Sequence, residues 1–445
     1  MKAIRRAWWL ALLLPLLLWA GAETWSGRSW NYFSFRSVAV QATGIVAIAS
    51  MSLCLWLALR PRWLERPLRG LDKMYRLHKW LGILALAVAV AHWWLAQGTK
   101  WMVGWGWLER PQRGPRSTEE LAPLEAWLRA QRGWAETAGE WAFYVAALLL
   151  VVALVRRFPY HLFARTHTLL AVTYLVLVLH ALVLTEYAYW SQPVGWLLLA
   201  LLLAGTFAAV QALLGRIGAG RKVGAEVVRV QHYPALQVTE VELALRPGWT
   251  GHAAGQFAFL TADARDGAHP FTVASDWSDS KPRITFIAKA LGDHTVRWPQ
   301  LLRPGVAVTV EGPYGCFDFE SGPARQIWVG AGIGITPFIA RMKQLAGRPG
   351  AKPIDLIHAT AVADETALAK MRADAAAAGI RLHLLVDERG DGRLSGERLR
   401  RMLPDWAQAW LWFCGPVGLG RALRQDLRAH GLAERDFHQE LFQMR

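Results

Sequence analysis

Six stretches of the chain are apolar for long enough to form membrane helices: about 7–20, 38–58, 75–96, 139–155, 163–184 and 192–214. The later ones can cross a hydrocarbon core of about 30 Å. From Val223 the pattern changes. Short alternating runs follow, Ala225–Val230, Leu236–Leu245, Gln256–Leu260, Arg283–Ala288 and Val306–Glu311, broken by Gly and Pro. That period of two predicts an antiparallel β-barrel. From Ala324 the apolar runs Gln326–Gly330, Ile354–Ala359, Arg381–Val386 and Trp410–Cys414 alternate with helical stretches at about 337–346, 364–378, 396–402 and 417–430. Strand and helix in alternation predict a parallel α/β sheet. The expected architecture is a six-helix transmembrane bundle over 1–221, a β-barrel over 222–322 and an α/β domain over 323–445.

Charge orients the bundle. The N-terminus and the connectors 60–79, 156–165 and 216–222 are basic, with seven Lys or Arg between Arg60 and Lys79 alone. Connector 21–37 has only Arg28 and Arg36, 185–191 has neither Lys nor Arg, and 97–138 is mixed, with six basic and five acidic residues. Basic loops stay inside, so the N-terminus and everything after residue 216 are expected in the cytoplasm. Trp93, Trp94, Trp101, Trp105 and Trp107 then form an aromatic belt at the outer surface. The net charge of +16 is explained by these topological charges, and no basic stripe with interleaved aromatics suggests nucleic acid. Three cysteines, Cys54, Cys316 and Cys414, are too few for a disulfide framework or a cysteine cluster. The run from Lys2 to Gly21 reads as a retained first helix or, with Ala20-Gly21-Ala22 as a cleavage site, as a signal peptide; retention fits the later loops better.

Histidine inside an apolar span is costly and usually functional. His78 and His92 lie 14 apart on the third span, and His167 and His180 lie 13 apart on the fifth. Both spacings are close to four turns at about 3.6 residues per turn, so each pair shares one helix face, with levels roughly 20 Å apart. Both spans run from inside to outside. His78 and His167 therefore meet at one depth and His92 and His180 at another. Two axial imidazoles at each level are what two b-type haems need. A lone histidine would more often be a hydrogen-bonded core residue, but two matched pairs are hard to obtain that way. His161, without a partner, reads as interfacial. Arg36 is a candidate partner for the outer haem's propionates, and Lys73, Arg76 and Lys79 for the inner one's.

These residues carry a resemblance. His78-Lys79-Trp80, Ala91-His92, Arg156-Arg157, Thr166-His167-Thr168 and His180-Ala181 resemble the NADPH oxidase and ferric reductase family, in which such histidines bind two haems. The resemblance runs from about residue 38 to the end; the first span and 97–138 carry no matching motif. His269-Pro270-Phe271-Thr272-Val273-Ala274-Ser275 resembles the flavin motif of ferredoxin-reductase-type domains. It implies Thr272 at the reactive edge of the isoalloxazine, with His269 and Ser275 toward phosphate and ribitol. Lys289 with Gly292-Asp293-His294-Thr295 resembles the second flavin element, Gly292 allowing close approach and Lys289 adding positive charge. FAD rather than FMN is what the family implies.

Gly330-Ala331-Gly332-Ile333-Gly334-Ile335-Thr336-Pro337 ends a strand and opens a helix, which suits a pyrophosphate; it resembles the ferredoxin-reductase variant of the nucleotide turn. Cys414-Gly415-Pro416 resembles the family's nicotinamide edge, although Cys414 also reads as a small buried hydrophobe. Phe442, with Glu440 and Leu441, is the best match to the aromatic that covers the flavin. After the Ile354–Ala359 strand no Arg stands ready for a 2′-phosphate, which leaves NADH and NADPH both open.

The expected activity is electron transfer from cytoplasmic NAD(P)H through FAD and two haem b groups to an external acceptor, across what the layout suggests is a bacterial inner membrane. A ferric or other metal chelate leads among acceptors; dioxygen and quinone compete. A haem-containing sensor or assembly subunit without turnover is the alternative of another class.

Overall fold

The computed structural model describes residues 2–25, 30–109, 122–155, 160–263, 266–319, 325–346 and 353–440. Arg28, Arg156, Arg157, Leu441, Phe442 and the side chain of His161 lie outside the described residues. By their contacts the residues fall into two compact units, Met1–Leu68 with Lys73–Ile217, and Arg69–Asp72 with Gly218–Arg445.

In the first unit, among the described residues, six helices are long and apolar enough to cross a membrane; this is a multi-pass membrane protein. They are α1 (Lys2–Ala22), α2 (Tyr32–Ala58), α4 (Leu71–Trp93), α7 (Arg132–Leu154), α8 (Tyr160–Leu184) and α9 (Pro193–Leu213). Short helices α3 (Arg62–Leu68), α5 (Thr99–Gly104) and α6 (Pro123–Ala130) lie between them. The third span runs further than its hydropathy suggests: α4 passes through a π-turn, Trp94–Gly98, into α5. Arg36 donates to the carbonyls of Leu95 at 2.8 Å and Ala96 at 3.2 Å in that turn, where the widened geometry frees backbone acceptors. The tryptophans at this end touch in series, Trp93 and Trp94 on Trp101, Trp101 on Trp105, and Trp105 on Trp107.

Lipid gives helices no hydrophobic reason to associate, so small residues and polar bridges must do it. The buried positions of α7 are Ala135, Gly139, Ala142 and Ala146, a stripe of small residues. At Gly205 of α9 a Cβ would lie 2.0 Å from the Tyr174 hydroxyl of α8. That hydroxyl meets Ser52 Oγ of α2 at 2.8 Å, so one buried bridge joins three spans. Helix α2 opens with a reciprocal cap: Asn31 Oδ1 accepts from Ser34 N–H, and Ser34 Oγ accepts from Asn31 N–H, each at 2.9 Å.

The second unit holds two sheets. The first is antiparallel, with β1 (Lys222–Tyr233), β2 (Val238–Leu245), β3 (Phe257–Thr261), β4 (His269–Thr272), β5 (Arg283–Lys289) and β6 (Ala307–Tyr314) in the order β4-β3-β6-β1-β2-β5. Its edges meet: Val273 bridges Phe286, and Ala274 N–H donates to Thr285 O at 2.8 Å. The sheet thereby closes into the expected barrel. The extra strand is β4, the His269–Thr272 motif itself, which alternation over so short a run does not reveal. Two short helices, α10 (Asp293–Val296) and α11 (Trp298–Leu301), follow β5.

The second sheet is parallel, with β7 (Gln326–Ala331), β8 (Ile354–Thr360), β9 (Arg381–Val386), β10 (Trp410–Cys414) and β11 (Phe437–Gln439) in the order β11-β10-β7-β8-β9. Helices α12 (Thr336–Leu345) and α13 (Glu365–Ala377) pack with Trp328 and Trp412 on one face. Helices α14 (Gly396–Met402) and α15 (Val417–Ala429) pack with Ile327 and Val329 on the other. Alternate residues of one strand serve opposite faces, as the pleat dictates.

Candidate functional site

The four span histidines come together as two facing pairs. The imidazoles of His78 on α4 and His167 on α8 have ring centroids 5.8 Å apart, and those of His92 and His180 are 6.2 Å apart. A metal–imidazole bond is about 2 Å and a ring centre lies roughly 1 Å beyond its nitrogen, so two imidazoles on one iron would have centroids about 6 Å apart. Both gaps fit one interposed iron.

The backbone fixes the tautomers. His78 Nδ1 donates to Cys54 O at 2.9 Å, His92 Nδ1 to Val40 O at 3.0 Å, and His180 Nδ1 to Ala135 O at 2.9 Å. A carbonyl can only accept, so each Nδ1 carries the proton and Nε2 keeps the lone pair that binds a metal. His167 Nδ1 has no hydrogen-bond partner among the described residues; its ring stacks on Phe163 at 5.0 Å.

Two glycines make room at the outer pair. A Cβ on Gly139 would lie 1.9 Å from His180 Nδ1, and one on Gly44 would lie 3.2 Å from His92 Cε1. A cavity of about 240 Å³ is lined by both outer histidines together with Arg36, Lys100, Arg132, Glu136 and Glu140. Reading single motifs misses Gly44, Gly139 and the accepting carbonyls. The signal was present as the period-of-four small residues Ala135 and Gly139 on the fourth span.

On the barrel, β4 pairs with β3, Leu260 opposite His269 and Phe257 opposite Thr272. Thr272 is buried. The two flavin motifs touch each other: His269 stacks on His294 at 3.9 Å, and Phe271 meets Trp298 in a tilted contact at 4.6 Å. Asp266 accepts from His294 Nδ1 at 3.2 Å and pairs with Arg297. Burial pushes the Asp266 carboxyl up, but the His294 hydrogen bond and the Arg297 charge outweigh it and hold it below the ordinary range. Burial, then the charge of His294, lowers His269. Two of the motif hydroxyls serve the fold: Ser275 Oγ accepts from Thr285 N–H at 3.1 Å, and Thr295 Oγ1 accepts from Leu291 N–H at 3.1 Å. Gly292 is the N-cap of α10. Pro270 sits in β4 opposite Phe259.

The glycine turn leaves β7, passes through Gly332–Ile335 and opens α12 at Thr336, with Pro337 in its first turn. Gly330, Cys414 and His358 lie side by side on β7, β10 and β8. A Cβ on Gly334 would lie 2.2 Å from Cys414 O, and one on Gly415 would lie 2.8 Å from Ala331 Cβ. The two nucleotide motifs, ending at Pro337 and Pro416, thus pack against each other. Cys414 is 1% exposed, and burial, then Glu440, pushes its thiol well up. His358 Nδ1 donates to Gly330 O at 2.9 Å, and burial lowers this imidazole to about 4. One cleft is lined by Lys289 of the barrel together with Gly332, Ile333, His358, Thr360 and Asp364 of the parallel sheet, so flavin-type and nucleotide-type elements share it.

Residues 43–178 match the family described as the ferric reductase like transmembrane component. The match contains His78, His92 and His167 and ends just before His180. The chain is 28% identical to an NADPH oxidoreductase of Mycobacterium tuberculosis over 45% of its own length and 55% of that protein's. It is 26% identical to respiratory burst oxidase homolog protein E of Arabidopsis thaliana over 42% of its own length and 22% of that protein's. The match thus spans about half or less of these relatives. A crystal structure of Amycolatopsis cytochrome P450 reductase GcoB is 21% identical with TM-score 0.43, covering 50% of this chain and 70% of that one. Residues 43–178 are thus similar to a ferric reductase like transmembrane component, and the chain is similar to NADPH oxidases over about half its length or less.

Proposed function

We propose that this chain is an oxidoreductase that carries electrons from cytoplasmic NAD(P)H across a bacterial cell membrane to an acceptor outside, through FAD and two haem b groups. The single observation that carries this reading is the pair of facing imidazole couples, 5.8 and 6.2 Å between centroids, with three of four Nδ1 atoms bonded to backbone carbonyls. FAD, when bound, takes a hydride as an electron pair, and the haem irons pass single electrons.

The chain's own residues do the rest. His78 with His167, and His92 with His180, supply the axial nitrogens at two depths, their rings oriented by Cys54, Val40 and Ala135 carbonyls. Residues 222–322 hold FAD, with His269, Pro270, Phe271, Thr272, Ser275, Lys289, Gly292 and Thr295 along it. Thr272 sits at the flavin's reactive edge. Residues 323–445 hold the nucleotide through Gly330, Gly332, Ile333, Gly334, Thr336 and Pro337, with Cys414, Gly415 and Pro416 at the nicotinamide. The buried, neutral Cys414 thiol acts there by shape and not as a nucleophile. Phe442, which lies outside the described residues, is the aromatic that the resemblance assigns to the flavin.

A ferric or other metal chelate is the acceptor this reading favours: Arg36, Lys100 and Arg132 outnumber Glu136 and Glu140 in the outer cavity's lining, although Arg132 is paired with Glu136 at 2.9 Å, and the small cationic excess suits an anionic chelate. Dioxygen is the second reading, supported by similarity to the heavy chain of a superoxide-generating NADPH oxidase from Dictyostelium discoideum, 26% identical over 50% of this chain. Oxidation of NAD(P)H by the purified protein with ferric citrate, dioxygen and a quinone in parallel tests both. Ferric reduction that survives superoxide dismutase supports direct chelate reduction. Ferric reduction abolished by superoxide dismutase supports dioxygen. A protein holding both cofactors that oxidises NAD(P)H with none of them is a sensor or assembly subunit instead.

A further inference from the structure

The cleft that holds the glycine turn also carries information about which nicotinamide nucleotide enters. Dinucleotides bind outside the carboxyl ends of parallel strands, and the cleft lies at that end of β7 and β8, lined by Gly332, Ile333, Thr360 and Asp364. NADH and NADPH differ there by one group, a ribose hydroxyl against a phosphate with about two negative charges.

The cations at this edge are committed. Lys370, which lines the cleft, has both Glu240 carboxylate oxygens at 2.7 Å from its ammonium. Arg389 pairs with Glu365, and Arg372 is 3.6 Å from the same carboxylate. Lys289 lines the cleft from the barrel wall, where the proposed function assigns it to the FAD pyrophosphate. A helix N-terminus can attract phosphate, and α13 begins at this edge. Its first turn is already served by its own carboxylate: Asp364 Oδ1 accepts from Ala367 N–H at 3.0 Å. Beside it, Glu388 Oε2 accepts from Ala363 N–H at 3.1 Å, so a second negative charge backs the loop that follows β8. His358, also in the lining, adds no positive charge.

We propose that this site selects NADH over NADPH, with Asp364 accepting a hydrogen bond from the adenosine ribose and repelling a 2′-phosphate. The proposal rests on the reading that residues 323–445 bind a nicotinamide nucleotide that reduces a flavin.

Anaerobic stopped-flow bleaching of the flavin in the full-length, FAD-loaded protein tests it, with NADH and NADPH compared by rate constant over Kd. NADH is expected to lead by about tenfold or more, the size of one uncompensated like-charge contact. In Asp364→Ser, which keeps a helix-capping oxygen and removes the charge, NADPH tightens and NADH weakens, so the ratio falls by about tenfold. Val362→Arg leaves the cap intact and adds a cation to the cleft lining; it too shifts preference toward NADPH. Equal or better use of NADPH by the unaltered protein overturns the proposal, as does an unchanged ratio in both variants. A flavin that neither nucleotide bleaches overturns the underlying reading instead.

Discussion

Replacing Gly139 with alanine tests the outer histidine pair without touching a histidine. The added methyl would sit 1.9 Å from His180 Nδ1, 2.4 Å from Cε1 and 2.7 Å from Cγ, where ordinary contact begins near 3.4 Å. The imidazole must therefore retreat by roughly 1.5 Å, or helix α7 must move away from α8. Either change breaks the 2.9 Å bond to Ala135 O and carries Nε2 out of a metal bond only about 2 Å long. Loss of an orienting contact alone costs about 10- to 100-fold in metal affinity, and a displaced ligand costs more. The assay is haem per flavin in purified protein, by pyridine haemochrome, beside the rate of flavin reduction by NADH. Gly139→Ala should keep one haem of two, with flavin reduction unchanged and electron export lost. Gly82→Ala, on the same span as His78 and His92 with nothing within 4 Å of its Cβ, is the control and should keep both. Two haems with an unaltered spectrum in Gly139→Ala would refute the packing argument.

Other expectations follow from the same geometry. His92→Ala and His180→Ala should each remove one haem and stop electron export while NADH still reduces the flavin; haem content equal to the unaltered protein in both would end the ligand assignment. Gly44→Ala, at 3.2 Å from His92 Cε1, asks only a few tenths of an ångström of that ring, so a shifted outer-haem potential with both haems retained is expected, read by redox titration. Acid should destabilise the second unit. Burial lowers His252 and His358 to about 4 in the fold, against about 6.5 in an unfolded chain. Between those values the unfolded chain binds more protons, so stability is full above about pH 6.5 and falls as pH drops toward 4, by at most about 3 kcal/mol per histidine. Thermal unfolding across that window should show the loss; in His358→Gln the slope should be smaller, and an identical slope would exclude His358 as its source.

How much was legible depended on the length over which a pattern persists. The six spans and the strands of the parallel sheet announce themselves through long apolar runs. The pairing of His78 with His167 and His92 with His180 was legible because spacings of 14 and 13 fix both face and depth. Strand β4 was not, since its four residues are named by a motif and not by alternation. The third span's continuation through Trp94–Gly98 was hidden as well, because a π-turn rests on Arg36 reaching carbonyls 59 and 60 residues away. Gly139 looked like one more small residue in a helix; only the neighbouring span shows that its missing Cβ seats an imidazole. Ser275 and Thr295 illustrate the converse. Their motif positions were plain, but that their hydroxyls close the barrel and hold the start of α10 depends on partners that local sequence does not name.

The most direct test of the account is the absorption spectrum of the pure holoprotein, oxidised and reduced, with haem and flavin quantified on the same sample. Two low-spin, bis-imidazole haems for each FAD is the predicted result. A single haem, or a high-spin spectrum with an open axial position, would contradict it.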